Sequence, residues 1–204
     1  MKTNLNKLNK GIMVTRIMLI VFILLTGWIT GLTIYRMANF GAKDESAFQI
    51  AQLENHNGTQ SAWLMIDGER YTTIDAYEFM PNPKGEPVHK EHLMIDEGIE
   101  LGKDVIILAI LVLLFVMSCG YSKGISPFNM RSVIFLRIIA ILTLCLALVP
   151  EWVGMKIRAS MTGSAATEID TVEFYMMALA LAVGMIAEIF RYGIAVQEDS
   201  DSIA

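Results

Sequence analysis

Two long stretches of the chain carry no charge at all. The first runs from Ile17 to Tyr35 between Arg16 and Arg36, and the second from Val105 to Ser122 between Asp104 and Lys123. They are 19 and 18 residues long, and a helix rising about 1.5 Å per residue over that length crosses a hydrocarbon layer of roughly 30 Å. A third apolar stretch, Ser132 to Trp152, contains Arg137 near one end and Pro150, Glu151 and Trp152 at the other. The stem of an arginine so placed snorkels to the interface, and tryptophan suits the opposite interface. A fourth, Val172 to Phe190, has Glu173 and Glu188 near its two ends and a charge-free centre from Phe174 to Ala187. The pattern predicts membrane-crossing helices over 17–36, 104–122, 132–152 and 172–191. They are joined by segments 1–16, 37–103, 123–131, 153–171 and 192–204.

Between the first two helices the pattern changes. Ala62 to Ile66 is apolar and strand-like, Asp67-Gly68 is a two-residue turn signal, and Arg70 to Phe79 is rich in Tyr, Thr and Ile. This predicts a β-hairpin with a type I′ turn and positive φ at Asp67 and Gly68. Pro81, Pro83, Gly85 and Pro87 then interrupt regular structure. Val88, His92, Ile95 and Ile99 recur at helical spacing and predict a helix leading into the second span. The expected fold class is therefore an all-α integral membrane protein, a four-transmembrane-helix bundle with a small extracytoplasmic region holding a β-hairpin between helices 1 and 2.

Composition agrees with that reading and narrows the function classes. Of 204 residues, 54% are hydrophobic and 18% charged, and the mean hydropathy is +0.49. That is too apolar for a soluble domain with a wet surface. The formal charge is −5, which argues against direct nucleic-acid binding. Most of the acidity is local. Segment 37–103 holds five basic and twelve acidic residues, a net −7, so the remainder of the chain is net +2.

Basic residues cluster on one side of the predicted topology. Lys2, Lys7, Lys10 and Arg16 precede the first span, Lys123 and Arg131 lie between spans two and three, and Arg191 follows the fourth. The positive-inside rule then puts both termini in the cytoplasm and 37–103 outside. The first apolar stretch is too long, and its flank Met37 to Ala42 too poor in small-x-small sites, for a cleaved signal peptide, so it reads as an uncleaved anchor. A bacterial cytoplasmic membrane is the expected location.

Candidate chemistry is sparse. The three histidines, His56, His89 and His92, all lie in 37–103. His89-Lys90-Glu91-His92 matches neither zincin spacing, so no metal site is assigned. Cys119 and Cys145 form no C-x-x-C, and there is no phosphate-cradling glycine loop and no G-x-S-x-G. No catalytic residue and no cofactor is expected, and the protein is read as a non-enzyme. Asn57-Gly58-Thr59 fits a glycosylation acceptor, a motif short enough to arise by chance. Gly27 and Gly31, and Ala178, Ala182 and Gly184, are small-residue faces of the kind that let helices approach.

The segments expected on the cytoplasmic side carry a pattern. After the second span comes Ser126-Pro127-Phe128, and further on Leu136-Arg137. The fourth span ends in Ala187-Glu188-Ile189-Phe190-Arg191-Tyr192-Gly193, followed by Glu198, Asp199 and Asp201. This resembles the bacterial four-span membrane proteins grouped as domain of unknown function 2975. They show Pro-Phe after the second span, Leu-Arg leading into the third, and a last helix closing on Phe-x-x-Gly with an acidic tail. The chain departs from that pattern at Asn129 to Val133 and at Ser202-Ile203-Ala204. The resemblance implies a small membrane component without established enzymatic activity, coupled to a compact helix-turn-helix regulator.

On their own chemistry, Pro127 suits a helix start, Phe128 an interface, and Arg131 and Arg137 lipid phosphates. Glu188 and Arg191 are placed three apart to pair on one helix face, Gly193 is a candidate helix break, and Glu198 belongs to an acidic end. These eight residues, Pro127, Phe128, Arg131, Arg137, Glu188, Arg191, Gly193 and Glu198, form the candidate partner-binding set. The expected partners are the lipid bilayer and a cytoplasmic helix-turn-helix regulator. The rival expectation is a small transporter or self-immunity membrane protein in which Glu188 and Arg137 line a polar route.

Overall fold

The computed structural model describes residues 2–56, 59–75, 84, 89–121, 128–162 and 174–203. Four long helices and three strands occur in the order α1 (Lys2–Gly41), β1 (Phe48–His56), β2 (Thr59–Ile66), β3 (Glu69–Asp75), α2 (His89–Tyr121), α3 (Met130–Thr162) and α4 (Phe174–Ile203). Each of the four helices contains a window long and apolar enough to cross a membrane. Their outward side chains include Leu24, Trp28 and Leu181, each more than two-thirds exposed. Apolar surface of that extent is stable when hydrocarbon covers it. The chain is thus a multi-pass membrane protein in its architecture.

The residues divide into two compact units, a helical unit of 1–30, 103–150 and 171–204 and a sheet unit of 31–102 and 151–170. In the helical unit, Arg16 of α1 donates from Nη2 to the Ser118 carbonyl. That carbonyl is among the last four of α2, which the helix cannot satisfy internally, so the arginine acts as a C-terminal cap. Val133, Leu136, Ile139, Leu146 and Ala147 of α3 and Ala180 and Ala187 of α4 are buried. Gly184 approaches α3 near Ala140, where an added Cβ would lie 3.9 Å from the alanine methyl. At Gly27 and Gly31, by contrast, an added Cβ would meet no atom of another described element within 4 Å.

All four helices extend beyond the expected spans, α3 at both of its ends. Asn129 accepts the Ser132 backbone N–H on Oδ1 at 2.9 Å, an N-cap that starts α3 at Met130; Pro127 lies outside the described residues. α3 also continues through Pro150 to Thr162, so 153–162, read from the sequence as loop, is helix. A proline inside a helix removes one backbone hydrogen bond but does not always end the helix. The candidate break at Gly193 is likewise corrected, since α4 runs unbroken to Ile203.

The sheet unit is an antiparallel meander in the order β1-β2-β3. The expected hairpin is present as β2 and β3, with Ile66 paired to Glu69 and φ of 54° at Asp67 and 82° at Gly68. Strand β1 is an addition that the pattern did not reveal. Its pairing with β2 slips between Ala51 and Leu53, and such a bulge breaks the two-residue period by which a strand is recognised. Along β2, Ala62, Leu64 and Ile66 point inward and pack with Phe40 of α1, Phe48, Ile74 and Leu93 of α2. Trp63 points the other way, with the Arg70 guanidinium 5.2 Å from its ring centroid.

Helix ends in this unit satisfy one another. Lys90, in the first turn of α2, donates from Nζ to the carbonyls of Gly41 (3.0 Å) and Lys43, at and just beyond the end of α1. Glu45, in the connection that follows α1, accepts the Lys90 backbone N–H at 3.3 Å. The unpaired carbonyls of one helix and the unpaired N–H groups of the next are met by two side chains.

Candidate functional site

The helical unit draws most of the candidate residues to one end of α3 and α4. Arg137, two turns into α3, donates to Glu188 Oε1 of α4 from Nη2 at 2.6 Å and from Nε at 3.1 Å. Arg191, one turn beyond Glu188, holds the other carboxylate oxygen, with Nε 2.9 Å from Oε2. The Glu188–Arg191 pair expected from spacing is present. The sequence brought Arg137 and Glu188 together only as residues lining a polar route; the structure pairs them directly. Each carboxylate oxygen is taken by a different guanidinium, leaving a cluster of net charge +1. Such charge-assisted bonds fix side-chain geometry more tightly than neutral ones.

Phe128 lies beside this cluster. Its ring is 5.2 Å from that of Phe190, tilted at 47°, and it covers Gly193 closely. A Cβ at 193 would fall 2.7 Å from Phe128 Cδ1. Gly193 therefore serves as a notch for the aromatic ring. Phe190 was not singled out as a site residue, although its place three residues before Gly193 was visible in the Phe-x-x-Gly pattern. Arg131, at the second residue of α3, is exposed, and Glu198 is exposed on the continuing α4 helix. Neither is brought into the Arg137–Glu188–Arg191 cluster by a described contact. Pro127 cannot be placed with the rest, being outside the described residues.

The sheet unit contains a second set of polar contacts. Glu97 of α2, 7% exposed, accepts from Arg36 of α1 on Oε2 (Nη2 at 2.9 Å) and from the Tyr71 hydroxyl of β3 on Oε1 at 3.3 Å. Arg36 also donates to Thr33 Oγ1 at 3.2 Å. One carboxylate thereby ties two helices and a strand together. Burial, with the nearby Glu97 charge, pushes the Tyr71 hydroxyl pKa up, against a smaller opposing pull from Arg36. Ion pairs also join Lys43 to Asp67 and Asp96 to Arg158.

Of the three histidines, His92 is buried and His89 half-buried; the His56 side chain lies outside the described residues. Among the described residues no group of three or more His, Cys, Asp or Glu is arranged to hold a metal ion. Two arginines hold one carboxylate, with the rings of Phe128 and Phe190 beside them. In comparisons with protein-family models, curated proteins and solved structures, the chain matches none.

Proposed function

We propose that this protein is a non-catalytic component of a bacterial cytoplasmic membrane, a four-helix bundle that binds a cytoplasmic partner through one end of α3 and α4. The observation that carries the proposal is the convergence of Arg137, Glu188, Arg191, Phe128 and Gly193 there. A charged cluster with a partly exposed aromatic beside it has the composition of an anchor for a protein partner. The excess of Lys and Arg in 1–16 and 123–131 supports a cytoplasmic placement of this end and of both termini. The acidic sheet-bearing segment 37–103 then faces the outside, where it contacts or senses something in the envelope. The resemblance to domain of unknown function 2975 supports a compact helix-turn-helix regulator as the partner. Direct nucleic-acid binding and catalysis form no part of this function.

Substituting Phe128→Ala, or Glu188→Gln together with Arg191→Gln, tests the proposal. Both variants should insert into membranes at wild-type levels and lose the proteins that wild type retains after crosslinking and detergent extraction. Recovery of the same proteins by both variants overturns it.

The Arg137–Glu188 contact between two spans also gives the transport or self-immunity reading its one specific observation. Under that reading, Glu188→Gln abolishes solute flux or toxin resistance in a deletion strain while partner recovery is unchanged. Mutual neutralisation of the two charges favours the partner-binding reading, because a conducting route needs polar groups available to the solute.

A further inference from the structure

In the sheet unit, one face of α2 carries His92, Asp96 and Ile99 at successive helical turns. Ile99 lies against Gly154 of α3 so closely that a Cβ at 154 would fall 2.1 Å from Ile99 Cδ1. One turn back, Asp96 is ion-paired with Arg158. The contacts fall along α2 as they rise along α3, so the two segments form an antiparallel seam. His92 stands at the next turn of the same face and is 2% exposed. It precedes the charge-free stretch that begins at Val105 by more than three turns, on a part of α2 that also holds Lys90, Glu91, Asp96, Glu97, Glu100, Lys103 and Asp104.

Imidazole is the side chain whose ordinary titration falls in mild acid. A buried neutral ring is tolerated, whereas a buried imidazolium loses its hydration. We propose that His92 is an acid-sensitive latch on the α2–α3 seam, neutral and closed at neutral pH and opened by protonation in mild acid. This rests on the reading of 37–103 as a sensing segment and names the proton as its input.

Among the described residues, the charged and titratable groups that act on His92 are His89, Glu91 and Asp96 on α2 and Arg158 on α3. Burial is the largest influence and holds the imidazole below its ordinary 6.5; Asp96 pulls it up, Arg158 and His89 push it down, and Glu91 pulls it up. His89 is also lowered, by burial first, with Glu91 opposing. A lowered folded-state pKa means that the opened seam binds a proton which the closed seam refuses. Stability from this group is complete above 6.5 and is lost as pH falls from there through the depressed value. Glu45, at the same end of α2, has the opposite sign. Its carboxyl is raised by burial, so its protonation favours the closed state and cannot cause opening in acid.

The test is hydrogen exchange of full-length protein in lipid nanodiscs, corrected for the intrinsic pH dependence of exchange. Between about pH 7.5 and about pH 5, protection of amides in 93–99 and 155–161 should fall about tenfold for each unit by which the His92 pKa is lowered. His92→Gln should abolish most of that fall, while His89→Gln and Glu45→Gln retain most of it. An unchanged wild type, or a full response in His92→Gln, overturns the latch. Should His92→Gln fail to fold, NMR titration of the His92 ring in wild type decides instead, a midpoint at or above 6.5 being fatal. Partner recovery is scored separately. Unchanged recovery by Phe128→Ala and by Glu188→Gln with Arg191→Gln, together with an intact acid response in wild type, rejects the partner-binding surface and leaves the latch standing.

Discussion

Glu45 and Lys90 cap each other's neighbourhoods. The Glu45 carboxylate accepts the Lys90 backbone N–H at the start of α2, while the Lys90 ammonium covers the carbonyls of Gly41 and Lys43 that follow from α1. This exchange closes the connection between the end of α1 and the start of α2 across the whole intervening sheet segment. The two side chains are only partly withdrawn from water, so their worth lies in satisfying helix ends.

Glu45→Ala should lower stability by about 0.5–2 kcal/mol, the usual cost of losing an N-terminal cap. Glu45→Gln keeps an acceptor oxygen and loses the partly desolvated charge. Because burial raises the Glu45 pKa, its contribution is full below 4.5 and is lost as pH rises through the raised value. Glu45→Gln should therefore equal or exceed wild type at neutral pH. Thermal unfolding followed by tryptophan fluorescence in detergent measures both variants, and a Gln variant as unstable as the Ala variant contradicts this assignment.

Gly193→Ala should destabilise the helical unit despite alanine's better helix propensity. The added methyl would lie 2.7 Å from Phe128 Cδ1, and overpacking of this kind costs about 1–3 kcal/mol against a gain of about 1 kcal/mol from propensity. Phe128→Ala in the same chain should remove the penalty. Unfolding midpoints of the single and double variants report the rescue, and a Gly193→Ala midpoint above wild type counts against the notch.

Gly154→Ala should be worse, since the new methyl would meet Ile99 Cδ1 at 2.1 Å and Cγ1 at 3.1 Å. Ile99→Val deletes that Cδ1 and should restore part of the lost stability. Hydrogen exchange in 93–99 is the readout. Simple additivity of the two substitutions would show that the residues do not touch.

Tyr71→Phe removes the hydroxyl that donates to Glu97 and leaves a buried carboxylate with one fewer partner. A loss of about 1–3 kcal/mol is expected, with greater loosening of β3 than of the helical unit. Equal proteolytic resistance of wild type and Tyr71→Phe would rule out an anchoring role for this bond.

Arg137→Glu and Glu188→Arg should each disturb the contact between α3 and α4, and the combined swap should recover much of the loss. Disulfide trapping between cysteines introduced on facing turns of α3 and α4 reports the recovery. Independent effects of the two substitutions would mean that the pair does not couple the helices.

The four apolar helices and the Asp67-Gly68 turn were legible because both signals are local. A charge-free run demands a low-dielectric surrounding wherever it occurs, and two adjacent residues with positive φ favour Asp-Gly whatever lies beyond. The continuation of α3 past Pro150 was less legible, because the expected stop depended on a residue that weakens a helix without always ending it. Strand β1 was hidden for a comparable reason. Its bulge shifts the apolar period, and its pairing partner had to be known before its own pattern made sense.

By itself the sequence determined that there are four helices long and apolar enough to cross a membrane, the acidity of 37–103 and the Glu188–Arg191 pairing, all consequences of residues near one another along the chain. Tertiary structure decided that Arg137 shares Glu188, that Phe128 fills the notch at Gly193, and that Ile99 lies on Gly154 with His92 buried on the same face. These relations join residues tens of positions apart. Which of them meet depends on how helices register against one another, and that register is set by close packing summed over many side chains.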